Sequence, residues 1–315
     1  MQLDKNEYIV VNPADETLTA HVIDFNVLPC VSFCIPTKNN EDTIEKCLES
    51  LNSQNYPLKE IIIVDGYSTD STLDIAKKFT DKIYFEQGPL GSARQKSIDM
   101  ARGEVVALFD SDIVLPDSNW LMDVIKFFNY SESVSTVWPV NIAPPHSSLT
   151  TQLYFNLWKV TINDRIKSGR SYYGCGNSLF LKKCFVDIGG INPDIHWGED
   201  FDWALKLMKR GYKVVFINRP LYHDTMRTIM EFYKKQFVGA STFTQTGFGL
   251  MGLTTREILY ENFILGSKAM IHGIVVERDF SWLLYPFFLL IRILAYSYIF
   301  FKKFFKKKEV VLDDS

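Results

Sequence analysis

The stretch VVALFDSD, residues 105–112, is a short apolar run that ends in two carboxylates separated by one serine. With Gly103 before it and a polar turn after it, it predicts a strand covered on both faces, as in a parallel sheet. Ligands of open α/β sheets bind beyond the carboxyl ends of such strands, so this one delivers Asp110 and Asp112 to a ligand's position. Both acids point to the same side of an extended segment, with no basic residue in the nearest sequence. They repel one another unless a cation joins them, and oxygen ligands suit Mg2+ or Mn2+. A strand-end Asp also caps turns, so the company of the pair elsewhere in the chain decides its role.

The pattern on either side alternates. VSFCIP (31–36) and EIIIVD (60–65) read as strands, with EDTIEKCLESLNSQ (41–54) between them as a helix carrying Ile44, Cys47, Leu48 and Leu51 on one face. Thr69, Asp70 and Ser71 offer N-caps for a helix through Phe79, KIYFE (82–86) follows as a strand, and 91–101 as a helix. This is an α/β domain with a mainly parallel sheet and right-handed crossovers. Farther on come a helix near 121–129, a strand near 134–140 and an aromatic helix over 149–167. Strands within 174–183 and 213–217 follow, with a helix over about 200–210 between them. Residues 1–28 are weakly patterned, an N-terminal extension that reads either as an added strand or as a mobile arm.

Composition bounds the function. Thirty-four basic against 37 acidic residues, net charge -3, give no field that gathers nucleic acid, and 47% hydrophobic residues are ample for a core in 315. Cys30, Cys34, Cys47, Cys175 and Cys184 form no Cys-x-x-Cys pair, which argues against a zinc site or disulfide framework and for a reduced, intracellular setting. The opening MQLDKNEYIV lacks the basic and apolar regions of a secretory signal, so the catalytic part is expected to face the cytoplasm.

Further polar residues fall at the same sheet edge. Pro36, Thr37 and Asn39 follow the first strand of the alternating region, Asp65 ends the second, and GPLGSAR (88–94) opens a helix. Asp65 can accept from a base N–H, and Arg94 with the amides near Gly91 can meet phosphate. Trp197-Gly198-Glu199-Asp200 stands where a loop enters a helix, where acids are also favoured by the helix dipole. His223 and Asp224 follow the last strand and Pro220.

In that order the chain resembles the inverting family 2 glycosyltransferases of the GT-A fold. The matching text is VSFCIPTKNN, IIIVDGYSTDST, GSARQKSIDMARGEVVALFDSDI, GCGNSLFLKKCFVDIGGINPDIHWGEDFDWALKLMKRGYKVVF and His223, spanning residues 31–223. The resemblance implies that Asp110 and Asp112, with Ser111 between them, hold a divalent cation on the donor diphosphate, and that His223 is a further metal ligand. It implies that Asp65 reads the nucleobase beside Pro36, Thr37 and Asn39, and that Asp200 is the general base. Asp-Gly-Tyr-Ser stands at 65–68 where many members have Asp-Asp-Gly-Ser, which leaves the nucleobase open. No Gln-x-x-Arg-Trp follows His223, so one sugar per encounter is expected rather than processive synthesis. Trp138, Tyr172, Tyr173, Trp197 and Glu199 are the candidates for the acceptor side.

FSWLLYPFFLLIRILAYSYIFF, residues 280–301, is long enough to cross a bilayer, yet Arg292 near its centre costs about 3 kcal/mol on insertion scales. A single crossing would also put Lys302, Lys303, Lys306, Lys307 and Lys308 on the side away from a cytoplasmic catalytic domain. Ser281, Tyr285, Arg292 and Tyr296 fall on one helical stripe, as in a helix lying in the interface with lysines on anionic headgroups. A re-entrant hairpin with 262–276, or packing on the domain or a partner subunit, fits the same residues.

The expected layout is an extension at 1–28, a GT-A catalytic domain at 29–225, a helical extension at 226–279, a membrane helix with a polybasic end at 280–308 and a tail at 309–315. The expected activity is metal-dependent, inverting transfer from a UDP- or GDP-linked sugar to a polyprenyl phosphate or lipid-linked saccharide. Its place is the cytoplasmic face of a membrane, as a peripheral or monotopic protein that can form a homo-oligomer. Two other readings use part of the pattern. A sugar nucleotidyltransferase shares the sheet, nucleotide and metal, but PTKNN replaces its Gly-rich basic loop. A non-catalytic membrane scaffold with this fold would not need Asp110, Asp112, Asp200 and His223 together.

Overall fold

The computed structural model describes residues 8–10, 28–130, 133–168, 176–192, 198–246 and 254–313. The chain forms two compact units, Met1–Pro144 with Tyr173–Asp224, and Pro145–Tyr172 with Thr225–Ser315.

The first unit is a curled mixed sheet with flanking helices. In chain order its elements are β1 (Tyr8–Val10), β2 (Val31–Thr37), α1 (Ile44–Asn52), β3 (Lys59–Asp65), α2 (Thr72–Ala76), β4 (Ile83–Phe85), α3 (Leu90–Met100), β5 (Val105–Leu108), β6 (Ile113–Val114), α4 (Trp120–Ile125) and β7 (Val134–Ile142). The second unit contributes α5 (Leu149–Lys167), after which β8 (Ser178–Leu181), α6 (Lys182–Asp187), α7 (Glu199–Arg210) and β9 (Lys213–His223) complete the first. The strand order is β1-β9-β7-β8-β5-β2-β3-β4, with β6 paired to β9.

Strands β5, β2, β3 and β4 run parallel, so Asp110, Thr37, Asp65 and Phe85 lie at one carboxyl edge. β2 and β5 are buried along their length, which is why they carry continuous apolar runs instead of alternation. Gly103 is required here: a Cβ on it would stand 2.6 Å from the Cys30 carbonyl and 2.7 Å from the Ser32 nitrogen. β8 is antiparallel to both β5 and β7, and β1 is the added strand, antiparallel to β9. β9 continues to His223, beyond the expected end near 217, because its far half pairs with β6 and β7.

The second unit is helical. It comprises α5, α8 (Ile229–Thr246), α9 (Thr255–Leu259), α10 (Gly266–His272) and α11 (Tyr285–Asp313), with π-helical turns at Tyr260–Leu265 and Gly273–Glu277. Its core is Leu153, Leu157, Met226, Phe232, Trp282, Tyr285 and Phe288. The stripe Ser281, Tyr285, Arg292 and Tyr296 does not lie on open water as a surface helix would have it. Ser281 and Tyr285 are buried, and Arg292 donates to Asn262 Oδ1 (2.9 Å) with its guanidinium 5.7 Å from the Phe232 ring centroid. The outer face instead carries Phe280, Leu283, Phe287, Leu290, Ile293, Leu294, Tyr298 and Phe301, all exposed. The outer face is apolar, and the polar stripe faces protein beside the buried Phe288 and Ala295.

Candidate active site

β5 ends two residues before Asp110, and the turn that follows delivers Asp112 to the start of β6. Pairing of Ile113 with His223 brings the end of β9 alongside, and the Asp224 N–H donates to the Asp112 carbonyl at 2.8 Å. His223 Nε2 thus stands 3.0 Å from Asp112 Oδ1 and 3.7 Å from Asp110 Oδ2. One donor atom from each of the three lies within 4.8 Å of the others. Asp112 Oδ1 is buried, and although His223 is near, no donor is aligned on it for a hydrogen bond. Two carboxylate oxygens and an imidazole nitrogen around such an atom fit Mg2+ or Mn2+.

Asn177, buried and in the left-handed region at φ 57°, fixes this group from behind. Its Oδ1 accepts from the Asp110 backbone N–H (2.8 Å), and its Nδ2 lies 3.3 Å from Asp110 Oδ2 and 3.2 Å from His223 Nδ1. Sequence reasoning passed over Asn177. The available signal was an Asn after a glycine at the mouth of a strand, because Asn is among the few residues that tolerate positive φ.

Arg94 reaches from α3 to the same place. Its Nη2 donates to Asp110 Oδ1 at 2.5 Å and its Nη1 pairs with Glu199, while its buried Nε has no hydrogen-bond partner. The repulsion expected between Asp110 and Asp112 is therefore relieved in part by a cation from distant sequence. Glu199 and Asp200 open α7, whose N-cap Gly198 takes φ 82°. The absence of a side chain at Gly176 leaves room for Asp200 Oδ2, only 3.2 Å from where a Cβ would be. Burial, then the Glu199 charge, push the Asp200 carboxyl up to about 7 against the opposing pull of Arg94.

The sequence profile of Glycosyl transferase family 2 matches residues 32–189, half of the chain. TuaG of Bacillus subtilis, named for teichuronic acid biosynthesis, is 37% identical over 220 residues, 62% of this chain and 79% of its own length. The chain belongs to the family 2 glycosyltransferases. Glycosyltransferase AglE of Haloferax volcanii is 27% identical over 221 residues, 67% of this chain and 72% of AglE. A dolichyl N-acetyl-alpha-D-glucosaminyl phosphate 3-beta-D-2,3-diacetamido-2,3-dideoxy-beta-D-glucuronosyltransferase of Methanococcus voltae is 26% identical over 207 residues, 58% of this chain but only 63% of that relative. Among solved structures, the mannosyltransferase PcManGT from Pyrobaculum calidifontis, in complex with GDP-Man and Mn2+, superposes with TM-score 0.59 at 14% identity, over 85% of this chain and 87% of that one. That likeness confirms the GT-A-like sheet.

In this family 2 glycosyltransferase the remaining expected site residues divide. Ser111 is buried between the two acids, and Pro36, Thr37 and Asn39 line the end of β2. Asn39 ties that loop to the next one, its N–H donating to Ser68 Oγ (2.9 Å) and its Oδ1 accepting from Thr69 N–H (2.8 Å). Asp65 is wholly buried, one oxygen accepting from the Ser68 N–H (2.8 Å) and the other from the Ser68 hydroxyl (2.6 Å), so it shapes its own turn. Arg94 was expected on phosphate, but here its two terminal nitrogens are held by Asp110 and Glu199. Glu199 was expected beside the acceptor, but it is buried against Arg94. Trp138 is core, edge-on to Phe216 with centroids 5.1 Å apart and its Nε1 donating to the Gly176 carbonyl at 3.1 Å, because β7 lies inside the sheet. Tyr172, Tyr173 and Trp197 lie outside the described residues.

Proposed function

We propose that this enzyme moves a sugar from a nucleotide donor to a hydroxyl of a lipid-linked acceptor at the cytoplasmic membrane surface, with inversion and one sugar per encounter. The observation that carries the reading is the meeting of the Asp110, Asp112 and His223 donor group with an Asp200 carboxyl raised to about 7 on the same sheet edge.

Asp110, Asp112 and His223 would hold Mg2+ or Mn2+. Such a cation supplies Lewis-acid stabilisation of the charge that develops on the leaving nucleoside diphosphate. Asn177 keeps the Asp110 backbone and the His223 ring in place for that task. Asp200 takes the proton of the attacking hydroxyl, and a carboxyl near 7 is a far better base than one at its ordinary value while about half ionised at neutral pH. A polyprenyl phosphate brings no such proton to remove, so the raised carboxyl favours a saccharide hydroxyl over a bare phosphate. The Methanococcus voltae relative supports this choice, since its name places a dolichyl-linked sugar as the acceptor.

The second unit supports the membrane. Phe280–Tyr298 is long and apolar enough to cross a bilayer. Its outward face, together with Phe263, Ile264, Ile271, Val275 and Val276 of the preceding helices, is exposed aromatic and aliphatic surface. In a helix lying between water and lipid a polar stripe faces water; here it faces protein, with Arg292 bonded internally, which suits hydrocarbon around the outer face. The sequence of five lysines from 302 to 308 adds attraction to anionic headgroups.

The test supplies UDP-glucose, UDP-N-acetylglucosamine and GDP-mannose with Mn2+ to the full-length enzyme, and offers a polyprenyl-linked saccharide or the free polyprenyl phosphate. The expected result is label carried from one donor onto the saccharide. Transfer to the free phosphate alone contradicts the acceptor choice, and a product that retains the donor's anomeric configuration contradicts inversion.

A further inference from the structure

Arg94 stands on the second turn of α3, a helix that packs on β2, β3 and β5. Ser97 and Ile98 of that helix are wholly buried, and the Cys34 thiol of β2 donates to the Ser97 carbonyl (3.2 Å), so the guanidinium is presented from a fixed base. Its Nη2 donates to Asp110 Oδ1 (2.5 Å) and its Nη1 to Glu199, while the buried Nε donates to no acceptor. A buried N–H left idle costs free energy. A fold in need of a counter-ion alone is better served by a two-bond pair such as Arg165 with Glu261. Here the fork is divided between two carboxylates that belong to different parts of the reaction. Asp110 turns its other oxygen, Oδ2, toward the cation group, 3.7 Å from His223 Nε2 and 3.3 Å from Asn177 Nδ2. Glu199 immediately precedes Asp200 at the start of α7, where the cap residue is Gly198, which has no side chain to hold the helix end.

We infer that Arg94 is a positioning residue for the transfer: its fork ties the acid that faces the cation to the helix start that carries the base, and so sets Asp200 against Asp110. The inference rests on the reading of the donor group and the base given above. A point charge does not replace the fork. Lysine offers one ammonium, whereas the planar guanidinium holds two terminal nitrogens at a fixed separation. Charge matters as well as shape. Burial acts most on the Asp200 carboxyl, and three charged groups act after it: Glu199 beside it and Asp110 from the end of β5 hold its proton, while Arg94 from α3 eases the proton off. Removing one or the other member of the Arg94 and Glu199 pair therefore moves the base in opposite directions, which a loss of structure does not.

The test measures transfer by the full-length enzyme across pH in wild type, Arg94→Lys, Arg94→Gln and Glu199→Gln. Calorimetry gives the affinity of each for Mn2+ and for UDP and GDP with Mn2+, and the melting temperature reports folding. Arg94→Lys is expected to lower kcat on the plateau about 10²-fold, the loss that follows a misplacement of about 1 Å, with Mn2+ and nucleotide affinity kept. Arg94→Gln moves the acid limb of kcat/KM up by about one pH unit, and Glu199→Gln moves it down. Mn2+ affinity of Arg94→Gln holds or rises, because a like charge near the cation is gone. A limb that stays put in both variants, or moves the same way in both, overturns the inference. So does an Arg94→Lys protein that turns over like wild type, or one that loses nucleotide affinity with kcat unchanged, which would make Arg94 a phosphate contact. If Arg94→Gln does not fold, Glu199→Gln decides alone: a downward shift supports the inference and none overturns it. A wild type without an acid limb sinks the reading of Asp200 as the base, whereas a limb near pH 7 that neither variant moves sinks the role of Arg94 alone.

Discussion

At the sheet edge, Asp110, Asp112, Glu199 and Asp200 face one guanidinium, Arg94, and one imidazole, His223. Among the helices of the second unit, Arg165 meets Glu261 through two bonds of 2.7 Å, and Arg292 bonds the neutral amide of Asn262. Arg165 and Glu261 are a buried pair matched one to one, whereas the carboxylates of the sheet edge outnumber the cations beside them. Burial penalises charge in either place, so a matched pair is what a fold needs to keep a helix in register. An excess of carboxylates is a cost that a fold alone would not retain, and it makes sense where a cation and a proton are to be taken up. Substitutions should therefore act in opposite senses in the two groups.

The largest expected effect is at Asp200. Asp200→Asn should lower kcat by about 10²–10⁴, the range for a lost general base, with Mn2+ and nucleotide affinity kept, as read by single-turnover transfer and calorimetry. The same change should stabilise the protein. The folded carboxyl is raised to about 7 from its ordinary 3.8, so ionising it opposes folding as pH rises through that window. The stability advantage of Asp200→Asn should be absent below about pH 4 and grow up to about pH 7, by denaturant titration across pH.

Glu261→Gln should do the reverse. Losing one partner of a buried pair strands Arg165 and costs about 3 kcal/mol or more of stability, while transfer per folded molecule is kept. If Glu261→Gln cost nothing and Asp200→Asn destabilised at every pH, the contrast between balanced and unbalanced burial would be broken.

A smaller effect is the pH profile of the wild type. With Asp200 as the base, kcat/KM should drop about tenfold for each pH unit well below 7 and level off above it, and the Asp200→Asn residual rate should lose that limb. Smallest is the polybasic segment: changing any one of Lys302, Lys303, Lys306, Lys307 and Lys308 to Gln should weaken binding to anionic vesicles by about 1 kcal/mol at low salt, with the difference shrinking as salt is raised.

Much of the sheet was legible because period and punctuation are local signals. β2, β3 and β5 announce themselves as apolar runs ending in Pro-Thr, Asp-Gly and Asp-Ser-Asp. The antiparallel direction of β8 and the extension of β9 to His223 were not legible, because they depend on partners far along the chain. The same limit governed the site. Asp110 and Asp112 stand out as a local pair, but the Arg94 that neutralises one of them is 16 residues away in sequence and Glu199 is 105 from Arg94. Trp138 looked like a pocket wall because an aromatic residue in a strand does not declare which side is covered. The stripe on α11 was correctly seen as polar, yet a helical period cannot tell inward from outward, and only the bonds of Arg292 and Tyr285 to Asn262 give its direction.

The most direct test is the transfer rate of the purified full-length enzyme after EDTA treatment and again after return of Mn2+, in wild type and in Asp112→Asn. Activity lost with EDTA and restored by Mn2+ in wild type, with Asp112→Asn staying inactive or needing far more Mn2+, is the predicted result. Full turnover in EDTA, or an Asp112→Asn protein that recovers on the same Mn2+ curve, would contradict a cation held by Asp110, Asp112 and His223.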